Sequence, residues 1–168
     1  KEKIGYNPIF FSYPFGEYSL KQKNYIKQKF AYAFGQQSGV IDINKDKFEL
    51  PRFPINEKYG DLERFKFLIK LLPLQYINIE PEDKLLTINN NPPKMKVNFF
   101  KEQKNLELIN CFSNEGNEWK KSEIKLINNK LIVNFRDKFF FRRGRINCSL
   151  NDKEGWRWFG TQFSIKEN

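Results

Sequence analysis

The sequence predicts an α/β segment over residues 1–73 followed by an all-β antiparallel sandwich over residues 74–168, and three observations carry that division. Before Leu74, short apolar runs alternate with stretches of helical period. After it, strand-like runs follow one another closely, separated by Asn, Gly, Pro and Asp. Hydrophobic residues make up 39% of the chain and aromatic residues 17%, which is ample material for a core and excludes a disordered chain.

Ile9-Phe10-Phe11-Ser12-Tyr13 is an apolar run of strand type, stopped where Pro14-Phe15-Gly16 forces a turn. Ser19 then caps a helix whose apolar stripe is Leu20, Tyr25, Ile26 and Phe30. Ala31 to Gly35 reads as a second strand, a polar loop runs to Lys47, and Leu50-Pro51-Arg52-Phe53-Pro54 is extended because proline disfavours helix in the residue before it. Asp61 caps a second helix with an apolar stripe of Leu62, Phe65, Leu68, Ile69 and Leu72, ended by Pro73. Strands are expected at 76–79, 85–88, 94–100, 106–112, 123–127, 131–135, 138–150 and 156–165, and closely spaced strands of this kind form sandwiches. Asn128-Asn129 is a two-residue hairpin turn, since Asn tolerates the left-handed backbone that such turns need.

The formal charge is +10, but lysines are scattered along the whole length. The tightest basic groups are Lys120-Lys121 and Arg142-Arg143 with Arg145. This pattern reads as a Lys/Asn composition bias rather than a dedicated polyanion site, and no nucleic-acid reader motif is present, so no nucleic-acid partner is expected. No stretch approaches the roughly 20 apolar residues of a membrane span. The chain opens on Lys1 without an initiator Met or a signal-like apolar region, so Lys1 is expected to lie inside a longer polypeptide. Cys111 and Cys148 are too far apart for a CxxC motif, and there is no histidine, so no metal ligand is assigned.

The segment that carries chemistry is Phe11-Ser12-Tyr13-Pro14-Phe15-Gly16-Glu17-Tyr18-Ser19, a strand feeding a Pro-aromatic-Gly turn and then a helix. It resembles the third motif of polysaccharide deacetylases of the NodB type. Further segments resemble one subgroup of that family in the same order: Phe34 to Gly39, Leu50 to Pro54, Tyr59-Gly60-Asp61 with Arg64-Phe65, Arg145 to Cys148, and Trp156 to Gly160. The resemblance implies that residues 1–73 are the C-terminal βα part of a NodB-like (β/α) barrel. It also implies hydrolysis of N-acetyl or O-acetyl groups on an acetylated polysaccharide, and an extracytoplasmic or cell-envelope setting. A divalent metal, zinc by resemblance, would activate water in the complete enzyme.

By the same resemblance, the backbone N–H of Phe15 is the oxyanion donor, and Tyr13, Pro14, Phe15 and Gly16 form a substrate-binding wall. A preorganised donor of this kind is worth roughly 2.7 to 4 kcal/mol. Two departures stand out. Ser12 occupies the place where the commoner motif has Arg, so Arg52 is the substitute orienting residue, with a surface ion-pair arginine as its other reading. The family's catalytic aspartate and metal-binding motifs are not found, and the downstream general-acid histidine is also absent. The chain is therefore expected to depend on the upstream part of the same polypeptide and to be inactive alone as a hydrolase of amide C–N bonds.

Other polar residues carry less. Glu17 and Asp61 sit at helix starts, where carboxylates complement the helix dipole, and neither Glu57 nor Glu63 makes a better acid/base candidate. Trp156 and Trp158 share one strand face, Arg157 and Phe159 the other; the indoles read either as a sugar platform or as sandwich core. Trp119 stays undecided, and Cys111 and Cys148 are either free or joined across the sheets. The alternative function is a non-enzymatic carbohydrate-binding or interaction protein acting through the sandwich.

Overall fold

The computed structural model describes residues 3, 5–116, 118–140 and 142–166. The first strand, β1 (Phe10–Ser12), leads through a 3-10 turn (Pro14–Gly16) into helix α1 (Leu20–Lys27) and then strand β2 (Tyr32–Phe34). Ser19 closes α1 with a reciprocal capping box to Gln22, satisfying helix-end donors that would otherwise face water unpaired. Strands β1 and β2 are parallel, with Phe10 opposite Tyr32, and Leu50 bridges to Phe34 on the far side of β2. Helix α2 (Leu62–Leu68), capped by Asp61, follows.

The sandwich uses ten strands: β3 (Leu72–Pro73), β4 (Asn78–Glu80), β5 (Leu85–Leu86), β6 (Met95–Asn98), β7 (Asn110–Ser113), β8 (Lys120–Lys121), β9 (Glu123–Ile127), β10 (Lys130–Asn134), β11 (Arg143–Asp152) and β12 (Gly155–Ile165). One sheet has the order β4-β6-β10-β9. The other has β3-β12-β11-β7-β8, with β5 also beside β12. The Asn128-Asn129 turn joins β9 to β10, with Asn128 at φ 53°.

Alternation on β11 shows how the sequence assigns the faces. Gly144, Ile146, Cys148 and Leu150 are buried, while Arg143, Arg145, Asn147 and Ser149 between them are half-exposed. The inward set joins Leu86, Met95, Val97, Leu131 and Phe163 in a continuous apolar core. Cys111 and Cys148 lie opposite each other on β7 and β11 and form a disulfide. The link therefore ties neighbouring strands of one sheet and does not cross between sheets.

Three expectations are corrected. Residues 1–73 do not form part of a (β/α) barrel: the fold is mostly β, and the α/β content is one β1-α1-β2 unit with three-residue strands. A barrel requires successive strands paired on both sides, but β1 has β2 as its one neighbour among the described residues. The polar loop after β2 and the prolines at 51 and 54 supply neither another crossover helix nor a regular strand. Helix α2 ends at Leu68 and does not run to Pro73, because Leu72 and Pro73 pair with β12 as a strand. Finally, the sandwich is not wholly antiparallel, because β3 and β5 pair in parallel with the two ends of β12.

Instead of closing a barrel, the N-terminal layer rests on the outer face of the larger sheet. Gly160 of β12 allows this approach: a Cβ there would stand 2.3 Å from the Ser38 carbonyl oxygen and 2.5 Å from Asn147 Oδ1. No helix is long and apolar enough to cross a membrane among the described residues.

Candidate functional site

The Tyr13–Gly16 turn is held from both sides. Tyr13 N–H donates to the Phe34 carbonyl at 3.0 Å, and the Gly16 and Glu17 amides close the turn onto the Tyr13 and Pro14 carbonyls. Phe15 adopts φ 56°, ψ 10°, a left-handed conformation that strains a non-glycine residue by about 1–2 kcal/mol. At Gly16, φ is 70° and a Cβ would lie 2.5 Å from the Gln36 amide nitrogen, so only glycine fits. From the sheet, the buried Gln162 of β12 donates Nε2 to the Phe15 and Gly16 carbonyls at 3.1 and 3.0 Å. Its Oε1 accepts from Arg145 Nε at 2.8 Å. The Phe15 N–H has no acceptor among the described residues. The Phe15 ring is 56% exposed and lies 5.6 and 5.5 Å from the guanidinium groups of Arg142 and Arg143.

Beneath the turn lies a buried polar network. Tyr13 is buried, donates its hydroxyl to the Phe48 carbonyl at 3.0 Å and stacks on Tyr18 at 4.5 Å between ring centres. Tyr18 donates to Glu49 Oε2, which also accepts from Lys23; Lys23 pairs in addition with Asp46 at 3.0 Å. Burial, reinforced by the Glu49 charge, holds the Tyr18 phenol well above its ordinary value. Burial of Lys23 opposes its charge, yet Glu49 and Asp46 outweigh that and raise it. The two tyrosines are therefore neutral supports of the turn.

Beside the turn, where the N-terminal layer meets β11 and β12, a cleft of about 770 Å³ opens. Arg52, Arg64, Arg145, Trp119, Trp158 and Tyr59 contribute its charged and aromatic walls, and no Asp or Glu among the described residues lines it. Trp158 packs edge-on against Phe53 with ring centres 6.1 Å apart, and its indole Nε1 is buried without a hydrogen-bond partner. Trp156 packs edge-on against Phe67. Both indoles thus occupy the outward face of the sheet, whereas Phe159 on the other face enters the core. A second depression, of about 1030 Å³, has charged lining groups that include a mutual set, Arg157 with Asp152 and Glu154.

The structure brings some of the sequence-read residues together and not others. Arg52 is exposed and lines the cleft, its backbone amide bonded to the Gln37 carbonyl, with no side-chain ion pair among the described residues. Phe15 does not line that cleft, but it connects to it through Gln162 and Arg145, and through Gly16 packed on Gln36. Glu17 pairs with Arg142 and Arg143, and Asp61 accepts from the Arg64 amide, so each carboxylate is separately engaged. Sequence reading missed Gln162, and it named Arg145 within a basic group and a family-like segment without giving it a role. The polar-apolar alternation of β11 was the available signal for Arg145.

The described residues contain no group of three His, Cys, Asp or Glu able to hold a metal ion. They do not fit the divalent metal that the resemblance implies. Comparisons with protein-family models, curated proteins and solved structures found no match.

Proposed function

We propose that this chain is part of a glycan deacetylase, in which the Tyr13–Gly16 turn forms one wall of the acyl site and the neighbouring aromatic cleft receives the sugar. The observation that supports this reading most strongly is the turn itself. A left-handed Phe15 fixed by Gly16 and Gln162, with its amide unpaired among the described residues, has the properties of a preorganised oxyanion donor. The Cys111–Cys148 disulfide supports an extracytoplasmic setting, where such bonds persist.

A second reading, glycan binding without hydrolysis, draws on Trp158, which lines the cleft instead of the core. Acetate release from N-acetylated and O-acetylated oligosaccharides, measured on the full-length protein, separates the two. Deacetylation requires acetate release. Glycan binding without it would favour the second reading.

A further inference from the structure

The arginines of this chain divide into two groups. Arg136 pairs with Glu115, Arg142 and Arg143 with Glu17, and Arg157 with Asp152 and Glu154. The remaining three, Arg52, Arg64 and Arg145, have no carboxylate partner among the described residues, and all three line the same cleft. An exposed unpaired arginine is ordinary, but Arg145 is half-buried beside Arg143 on the same strand face. Burial, and then the Arg143 charge, lower its affinity for its own proton, the mark of a cation short of counter-charge. Arg145 Nε is spent on neutral Gln162, and Arg64 Nε on the Tyr59 carbonyl, which leaves terminal guanidinium nitrogens for a ligand. The Trp158 side chain lines the same cleft. Planar guanidinium groups read carboxylate and phosphate oxygens in pairs, and indole faces stack on sugar rings.

We propose that the cleft binds an acidic glycan, with Arg52 and Arg145 holding a carboxylate or phosphate substituent of a sugar unit that lies against Trp158. The sugar half of this inference rests on the glycan reading above; the anion half rests on the arginines alone. Lysine scatter over the surface plays no part in it.

Calorimetric titration of the chain tests it with four probes: an oligogalacturonate, glucose 6-phosphate, a neutral chito-oligosaccharide and a single-stranded oligothymidylate. The oligogalacturonate or the sugar phosphate, which distinguish carboxylate from phosphate, should bind about tenfold or more tighter than the neutral sugar. Arg52→Gln and Arg145→Gln should each weaken that binding about tenfold, while Lys125→Gln with Lys130→Gln on the opposite sheet should change it less than about twofold. Arg52 is exposed, so its variant reports on binding even if Arg145→Gln disturbs the fold. Equal affinity for the neutral sugar, equal loss in the lysine variant, or tighter oligothymidylate binding with the same arginine dependence would each overturn the proposal. Because binding is read without hydrolysis, absence of acetate release defeats the deacetylase reading and leaves this one standing.

Discussion

The sandwich and the layer resting on it are stabilised by different means. Between the sheets the buried residues form an apolar core, including Leu131, Ile146, Leu150 and Phe163, with a disulfide inside it. The N-terminal layer has a small cluster of Tyr13, Tyr18, Ile26, Ala33 and Phe48, supplemented by Lys23, Asp46 and Glu49. Apolar burial is insensitive to pH and scales with area; a charge network depends on protonation and on every partner being present. The layer that carries the strained turn is thus the more conditional part of the molecule, and it depends on the sheet through Gln162 and Gly160.

That contrast is breakable at several points. Phe163→Ala should be the most damaging, destabilising the chain by about 3–5 kcal/mol in denaturant unfolding, because the fully buried ring leaves a cavity between the sheets. Replacing Cys111 and Cys148 by Ser, which opens a loop of 37 residues in sequence separation, should lower stability by about 2–4 kcal/mol in the same assay. Lys23→Met should have a smaller effect, about 2 kcal/mol. That is less than the roughly 3–5 expected for a fully buried pair, because Asp46 and Glu49 are each about a quarter exposed. Its signature should be local, a change in tyrosine near-UV circular dichroism while the sandwich amides keep their hydrogen-exchange protection.

pH should act on the same network. Burial alone would raise the Asp46 carboxyl, but the Phe48 amide, Lys23 and Lys27 hold it below its ordinary value. Its folded value is depressed, so its contribution is complete above the unfolded carboxylate range and is lost as pH falls through the depressed value. The tyrosine signal should therefore change in acid before the sandwich unfolds. A single coincident transition would show that layer and sandwich are equally robust.

Much of this arrangement was legible in the sequence. Strands β9 and β12, the hairpin at Asn128-Asn129, and the helix caps at Ser19 and Asp61 follow from alternation and local hydrogen-bonding chemistry, and these are short-range. The barrel expectation failed because β1, α1 and β2 look locally the same whether or not further strands close around them. The end of α2 was misplaced for a related reason: the apolar repeat runs on to Leu72, but Leu72 and Pro73 pair with the distant β12. Of the candidate site, the turn at Tyr13–Gly16 was visible through Pro14 and Gly16. The bond from Gln162 to that turn spans almost the whole chain, and the convergence of Arg52, Arg64 and Arg145 depends on docking at Gly160, so neither leaves a local trace.

The proposed function requires that the sheet hold the Phe15 turn in a conformation that serves acyl-group hydrolysis. Acetate release by the full-length protein, wild type against Gln162→Met, tests it most directly. Gln162 is a positioning residue, so its loss should lower kcat about tenfold or more with KM little changed, in a protein whose unfolding midpoint shows that it is still folded. Unchanged kcat in the folded variant, or no acetate release from the wild type, would contradict the claim.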